Sequence, residues 1–231
     1  MEHLELRSDA GSQTLATGIA TRLRGLITGG EIAPGEKLRL EDLRASFGVS
    51  LSPLREALSR LSAEGFVVME DQRGYRVAPV SENNLTEVTR LRAQVEPFAL
   101  REAIRQGDDQ WEGEVVASLY RLNKLQKLSP STRVDEWEVA HRDLHQRLLS
   151  ACRMPLLMQF CATLHDLSDR YRRLFLEEHP IDRDVAHEHE SICMATVERR
   201  ADDAAGLLRD HIERTGTNIM RVLMERQASK A

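Results

Sequence analysis

With 231 residues, 41% of them hydrophobic and 30% charged, the chain has room for one large or two modest globular domains. No apolar run reaches the roughly 20 residues of a membrane span, and no apolar stretch near the N-terminus reads as a secretion signal, so a cytoplasmic protein with no membrane partner is expected. The net charge of −5 excludes a bulk polycation, and Cys152, Cys161 and Cys193, odd in number and without a CxxC pair, support neither a disulfide framework nor a thiolate zinc site. Reduced, buried thiols are expected instead.

Residues 1–12 are polar and expected to fray. From Thr14 to Thr28 the residues Leu15, Ile19, Leu23, Leu26 and Ile27 recur at helical spacing, and Gly29-Gly30 ends that helix. Ala33-Pro34-Gly35-Glu36 is a tight turn. A short helix over 40–47 stops at Gly48, and Ser50 opens a third helix as an N-cap that accepts a first-turn N–H. Pro53 is tolerated because the first turn leaves its N–H positions unpaired. Leu54, Leu58 and Leu61 face inward while Arg55 and Arg60 point elsewhere, and Gly65 closes the helix. Residues 66–69 and 75–78 are strand-like and flank a turn with Gly74, which predicts a β-hairpin. Three helices followed by a ribbon is the order of a winged helix-turn-helix, whose third helix enters a DNA major groove.

The head therefore spans 13–79, with a linker over 80–83. A helical domain is expected over 84–231, since residues 84–228 carry helical periodicity and no strand signal. Helices are expected over 82–106, 109–128, 132–150, 154–177, 182–199 and 201–227, with Pro97 kinking or dividing the first. The fold class is mainly α: a winged helix-turn-helix followed by an antiparallel helical bundle. Leu157, Phe160, Leu164 and Leu167 are expected in its core.

Residues 1–80 carry 10 Lys/Arg and 11 Asp/Glu, a net of −1, so DNA binding must rest on where the arginines sit. Arg55, early on the third helix, can pair bidentately with a guanine edge, a contact worth about 1–3 kcal/mol of discrimination; the bland alternative is an ion pair with Glu56. Arg39 and Arg44 are candidate phosphate contacts. Ser50 and Ser52 either donate to phosphates or serve as caps, with capping favoured for Ser50. Arg73 and Gly74 at the wing tip suit the minor groove, or else form a solvated hairpin end. Arg60 is expected to be solvated or to meet a phosphate.

In the bundle, His141 and His145 stand i, i+4 on one helix face, about 6 Å apart at Cβ, a ready chelate for a divalent transition metal or simply a half-exposed pair. The intervening Arg142-Asp143-Leu144 lacks the glutamate of an HExxH protease. His187 and His189, two apart, cannot both face one interior site, so His187 belongs at the surface; His165 and His179 are expected at the surface or at helix ends.

Residues 14–80 resemble the winged-helix domain of the GntR family of bacterial transcription regulators. The matching pieces are Ile32-Ala33-Pro34-Gly35-Glu36-Lys37-Leu38, Leu43, Phe47-Gly48-Val49-Ser50, Ser52-Pro53-Leu54-Arg55-Glu56-Ala57-Leu58, Leu61, Glu64-Gly65 and Arg73-Gly74-Tyr75-Arg76-Val77. Leu51 departs from the pattern, since the family often has arginine there, and this shifts the burden of base reading to Arg55 and the wing. Residues 82–228 resemble the FCD effector domain of the FadR-like branch, through Leu91-Arg92 with Glu96, a His-bearing third helix, and His189 and His211 on later helices.

The resemblance implies a homodimer on double-stranded operator DNA, with 84–231 as the effector-binding and dimerisation domain and a small ligand bound in the bundle. It also implies a metal site of Asp-x-x-x-His plus one histidine from each of two later helices. His145, His189 and His211 match its histidines, and His141 stands where the aspartate would be. Four neutral imidazoles suit zinc, nickel or copper, with zinc or nickel expected, and leave a surplus positive charge for a carboxylate effector helped by Arg92. The leading expectation is a ligand-controlled repressor and not an enzyme. The alternatives are a metal that is structural or is itself the signal, and a metalloenzyme with an accessory head.

Overall fold

The structure is a computed structural model that describes residues 14–70, 73–126, 134–176 and 184–229. The chain divides after Ser81 into two compact units.

The first unit holds α1 (Leu15–Thr28), β1 (Lys37–Leu38), α2 (Leu40–Phe47), α3 (Leu51–Ala63), β2 (Val67–Glu70) and β3 (Gly74–Val77). The Thr14 side chain caps α1 by accepting from the Thr17 N–H. Gly48 ends α2 at φ 63°, a left-handed conformation that a residue without Cβ adopts at little cost. Ile19 and Leu23 of α1 meet Leu54, Leu58 and Leu61 of α3 in an interior where all five are fully buried. Burial of each such side chain stabilises by about 1.5–3 kcal/mol.

The sheet order is β1-β3-β2, both pairs antiparallel. β1 was not anticipated, because two residues are too short to show alternation. The hairpin strands run 67–70 and 74–77, one residue off the expected 66–69 and 75–78, and Phe66 is a core residue at the entry to β2. Arg76 on β3 donates to Glu70 Oε1 at 3.1 Å and to the Gly35 carbonyl at 2.6 Å, tying the ribbon to the turn before β1.

The second unit is α4 (Glu82–Gln106), α5 (Asp109–Gln126), α6 (Val134–Leu149), a 3-10 turn (Ser150–Cys152), α7 (Pro155–Leu176), α8 (Val185–Val197) and α9 (Ala201–Ala228). Pro97 does not divide α4. It forfeits one helical N–H, but buried Ala93, Ala99, Leu100 and Ala103 on both sides keep the helix seated. At Gly216 of α9 an added Cβ would fall 2.5 Å from Thr89 Cγ2, so α4 and α9 close up at a residue without a side chain.

Arg199 joins α8 to α9 at φ 55° and sends its guanidinium to the carbonyls of Ile104 (2.8 Å) and Gly107 (3.0 Å), while pairing with Glu112 at 2.6 Å. It thereby satisfies acceptors that the end of α4 leaves open. All three cysteines are buried and free, and burial pushes the Cys161 and Cys193 thiols up to about 12. Among the described residues no helix is long and apolar enough to cross a membrane.

Candidate functional site

Three helices bring the bundle histidines together: α6 carries His141 and His145, α8 carries His189, and α9 carries His211. All four are buried, and one donor atom from each lies within 4.8 Å of the others. Ring centroids are 4.6 Å apart for His141 and His145, 4.7 Å for His189 and His211, and 5.3 Å for His145 and His211. Burial, followed by the positive charge of Arg172, drives the His141 imidazole well below its ordinary range; burial and the other imidazoles do the same to His145. Neutral imidazole is the metal-binding form.

These residues fit a divalent transition metal. His141 Nδ1 and His145 Nε2 are buried with no hydrogen-bond partner among the described residues, and a buried polar atom left so is costly. His211 Nδ1 lies 2.8 Å from Glu188 Oε2, whose other oxygen accepts from Arg214 at 3.1 Å. A carboxylate on Nδ1 holds the ring in the tautomer that leaves Nε2 as a lone pair. His187 is exposed, as its spacing from His189 requires. His179 lies outside the described residues.

The wall opposite, from α4 and α7, corrects two expectations. His165 is not a surface residue; it is 4% exposed. Its Nδ1 is 3.1 Å from Arg92 Nη2 and its Nε2 is 3.4 Å from Asp169 Oδ1. Burial pulls this imidazole down to about 3. Burial by itself would raise the Asp169 carboxyl, yet His165 and Arg172 beside it hold it at about 2. Phe160, expected in the core, is 43% exposed, because the inner face of α7 is taken by Cys161, Leu164 and His165.

Arg92 does reach the site, but its guanidinium is already occupied. Nε and Nη2 donate to the two oxygens of Glu96 at 2.6 and 3.2 Å, and Nη1 donates to Ser168 Oγ at 2.8 Å. Arg172, also buried, pairs with Asp169 and Glu138 and lies over the Trp137 ring, which stacks on His141 at 4.9 Å. Sequence reasoning missed Glu138, His165, Asp169 and Arg172; the only signal was an i, i+4, i+7 spacing of polar groups along residues 165–172.

In the head, Ser52 and Arg55 are exposed on α3, opposite buried Leu54, Ala57 and Leu58. Among the described residues Arg55 has no ion pair. Glu56, its suggested partner, instead pairs with Arg60, which also donates to Thr17 Oγ1 at 2.8 Å. Arg60 is therefore spent within the head. Ser50 has the extended backbone of an N-cap, but its hydroxyl makes no capping bond, contrary to expectation, and is exposed. Arg39 is exposed at the start of α2, and Arg44 is exposed and paired with Glu41 at 2.9 Å. Arg73 and Gly74, the latter at φ 88°, are exposed at the hairpin end, where the Arg73 N–H donates to the Glu70 carbonyl.

Comparison with known proteins agrees with both halves. The model of the gntR family of bacterial regulatory proteins matches residues 15–77, and that of the FCD domain matches residues 87–214. The chain is 36% identical to the uncharacterized HTH-type transcriptional regulator BphR of Paraburkholderia xenovorans, over 88% of this chain and 84% of that protein. It is 34% identical to the HTH-type transcriptional repressor GlaR of Escherichia coli, over 82% and 89%. Among solved structures, E. coli McbR/YncC shares the fold with a TM-score of 0.76 at 20% identity, covering 93% of this chain and all of that one. A GntR regulator from Rhodococcus sp. RHA1 does so at 0.70 and 21%, covering 88% and 96%. With a winged head matching one model and a helical bundle matching the other, the chain belongs to the GntR family of DNA-binding transcription regulators, in its FCD-bearing branch, and is not an enzyme.

Proposed function

We propose that the protein is a homodimeric repressor whose operator affinity is controlled by a small carboxylate metabolite, bound in the bundle beside a divalent metal held by His141, His145, His189 and His211. The observation that carries this is the convergence of four buried imidazoles from α6, α8 and α9, with His141 Nδ1 and His145 Nε2 lacking any other partner among the described residues. An all-imidazole set favours zinc or nickel over magnesium or calcium, and a divalent ion there supplies uncompensated positive charge for an anionic oxygen. Arg92 stands on the facing helix as the second anion receptor. In the head, Arg55 reads base edges with Ser52 beside it. Ser50, Arg39 and Arg44 meet phosphates, and Arg73 with Gly74 enters the minor groove. Repression is supported by the naming of GlaR as a repressor. Coupling between the sites is of the usual size, about 1–3 kcal/mol.

Metal analysis of the purified protein beside H145A and H211A tests this. About one zinc or nickel ion per chain is expected in the parent protein and a large loss in both variants; unchanged metal in both removes the proposal. A second reading is that the ion is structural, since its ligands would pin three helices together. A thermal shift screen with metals, a chelator and small carboxylates separates the two. Stabilisation by metal alone favours the structural role, and a further shift with carboxylate favours the effector site.

A further inference from the structure

The position best suited to an effector carboxylate is filled by one of the protein's own. Glu96 is 1% exposed and presents both oxygens to the Nε–Nη2 edge of Arg92. The same carboxylate has an oxygen within 4.8 Å of ring nitrogens of both His145 and His165. It thus sits between the arginine and the histidine cluster, where a ligand bridging the two would lie. The space left over is small: a cavity of about 20 Å³ lined by Glu96, His145, Cys161, His165 and Met158. That is room for a single water and not for a carboxylate group.

The remaining contacts of Arg92 do not depend on Glu96. Ser168 Oγ accepts from Nη1 and His165 Nδ1 faces Nη2. They hold the guanidinium plane in place while leaving one edge exchangeable. Helix propensity does not explain the pair, because an acid four residues after a base is the weaker order for a helical ion pair. We infer that Glu96 is a resident competitor: an incoming carboxylate displaces it from Arg92, and the displaced glutamate carries the signal.

This inference rests on the reading that a carboxylate effector binds beside the metal. The exchange is neutral at Arg92, since one bidentate carboxylate replaces another. It is not neutral for Glu96, which loses its counter-charge in a buried site, a costly state that the structure relieves only by moving the group. Glu96 is on α4, the helix that begins at Glu82, directly after the first unit ends at Ser81. Displacement therefore acts on the segment that leads to the head.

The test uses the full-length protein loaded with cobalt(II) and titrated with acetate, followed through the visible absorption bands of the metal. Parent protein, E96Q, E96D and R92Q are compared, with circular dichroism to establish folding. E96Q removes the competing charge, so its apparent acetate affinity is expected to rise by about tenfold or more, the value of one charge-assisted hydrogen bond. E96D, which shortens the competitor, is expected to gain severalfold and carries the test if E96Q does not fold. R92Q is expected to lose the response. Equal or weaker acetate binding by the Glu96 variants, with a clear response in the parent protein, overturns the inference and leaves the effector site standing. Spectra that no variant changes with acetate overturn the effector site, and the competitor with it.

Discussion

In the head, the described interior is built from side chains such as Ile19, Leu23, Leu54, Leu58 and Phe66, and Thr28 is its one buried polar residue. In the bundle, the described interior also holds Arg92, Glu96, Glu138, His141, His145, His165, Asp169, Arg172, His189 and His211. An apolar interior stabilises in proportion to the area it buries. A charged interior costs desolvation that well-made ion pairs only offset, so it is weak evidence of stability. The difference fits the two tasks. A head that reads DNA keeps its chemistry on the outside and its inside for cohesion. A bundle proposed to enclose a small ligand must keep polar groups where water is scarce.

Removing a buried charge from the bundle tests that contrast most severely. Arg172→Ala strands Glu138 and Asp169, and a loss of about 3–5 kcal/mol is expected in urea denaturation. A loss below 1 kcal/mol would mean the network is solvated in practice. In the head the matching cut is Leu58→Ala, which is expected to cost about 2–5 kcal/mol through lost burial and the cavity left behind. Its effect is expected in the melting of the head, and bundle metal content is expected to stay unchanged.

Arg55→Ala tests the surface half of the comparison. Its side chain is exposed, so the melting temperature is expected to hold while discrimination among operator variants falls by about 1–3 kcal/mol in a competition binding assay. A uniform loss across all sequences would reassign Arg55 to phosphate. The gentlest test is pH. His141, His145 and His165 titrate below their ordinary range when folded, chiefly through burial. Below about pH 6.5 the unfolded chain binds protons that the folded chain refuses, so stability of the metal-free protein falls as pH drops through that value toward the folded pKa values. Each group contributes up to about 1.4 kcal/mol per pH unit. A flat urea midpoint between pH 7 and pH 5 would contradict the burial of these rings.

The order of helices in both units was legible because apolar residues recur at helical spacing against polar faces. The metal candidates were legible in part: His141 and His145 are visible by spacing, whereas His189 and His211 join them only through tertiary contact and were reached by family resemblance. The polar wall was not legible. From Leu164 to Arg172 every residue of α7 is buried, so this stretch has no solvent side to set its period, and two thirds of the buried positions are polar. Hydrophobic periodicity assigns such residues outward. His165 was misread for that reason, and the left-handed Arg199 that closes α4 has no signature in composition at all.

The stack of Trp137 on His141 has an optical consequence. An indole 4.9 Å from an imidazole, with the Arg172 guanidinium over its ring, emits light whose yield depends on the charge of its neighbours. The chain has one other tryptophan, Trp111, whose N–H is held by the Arg147 carbonyl on a different part of α6. Trp111→Phe would leave a protein that reports the state of its histidine cluster by its own fluorescence, without a label.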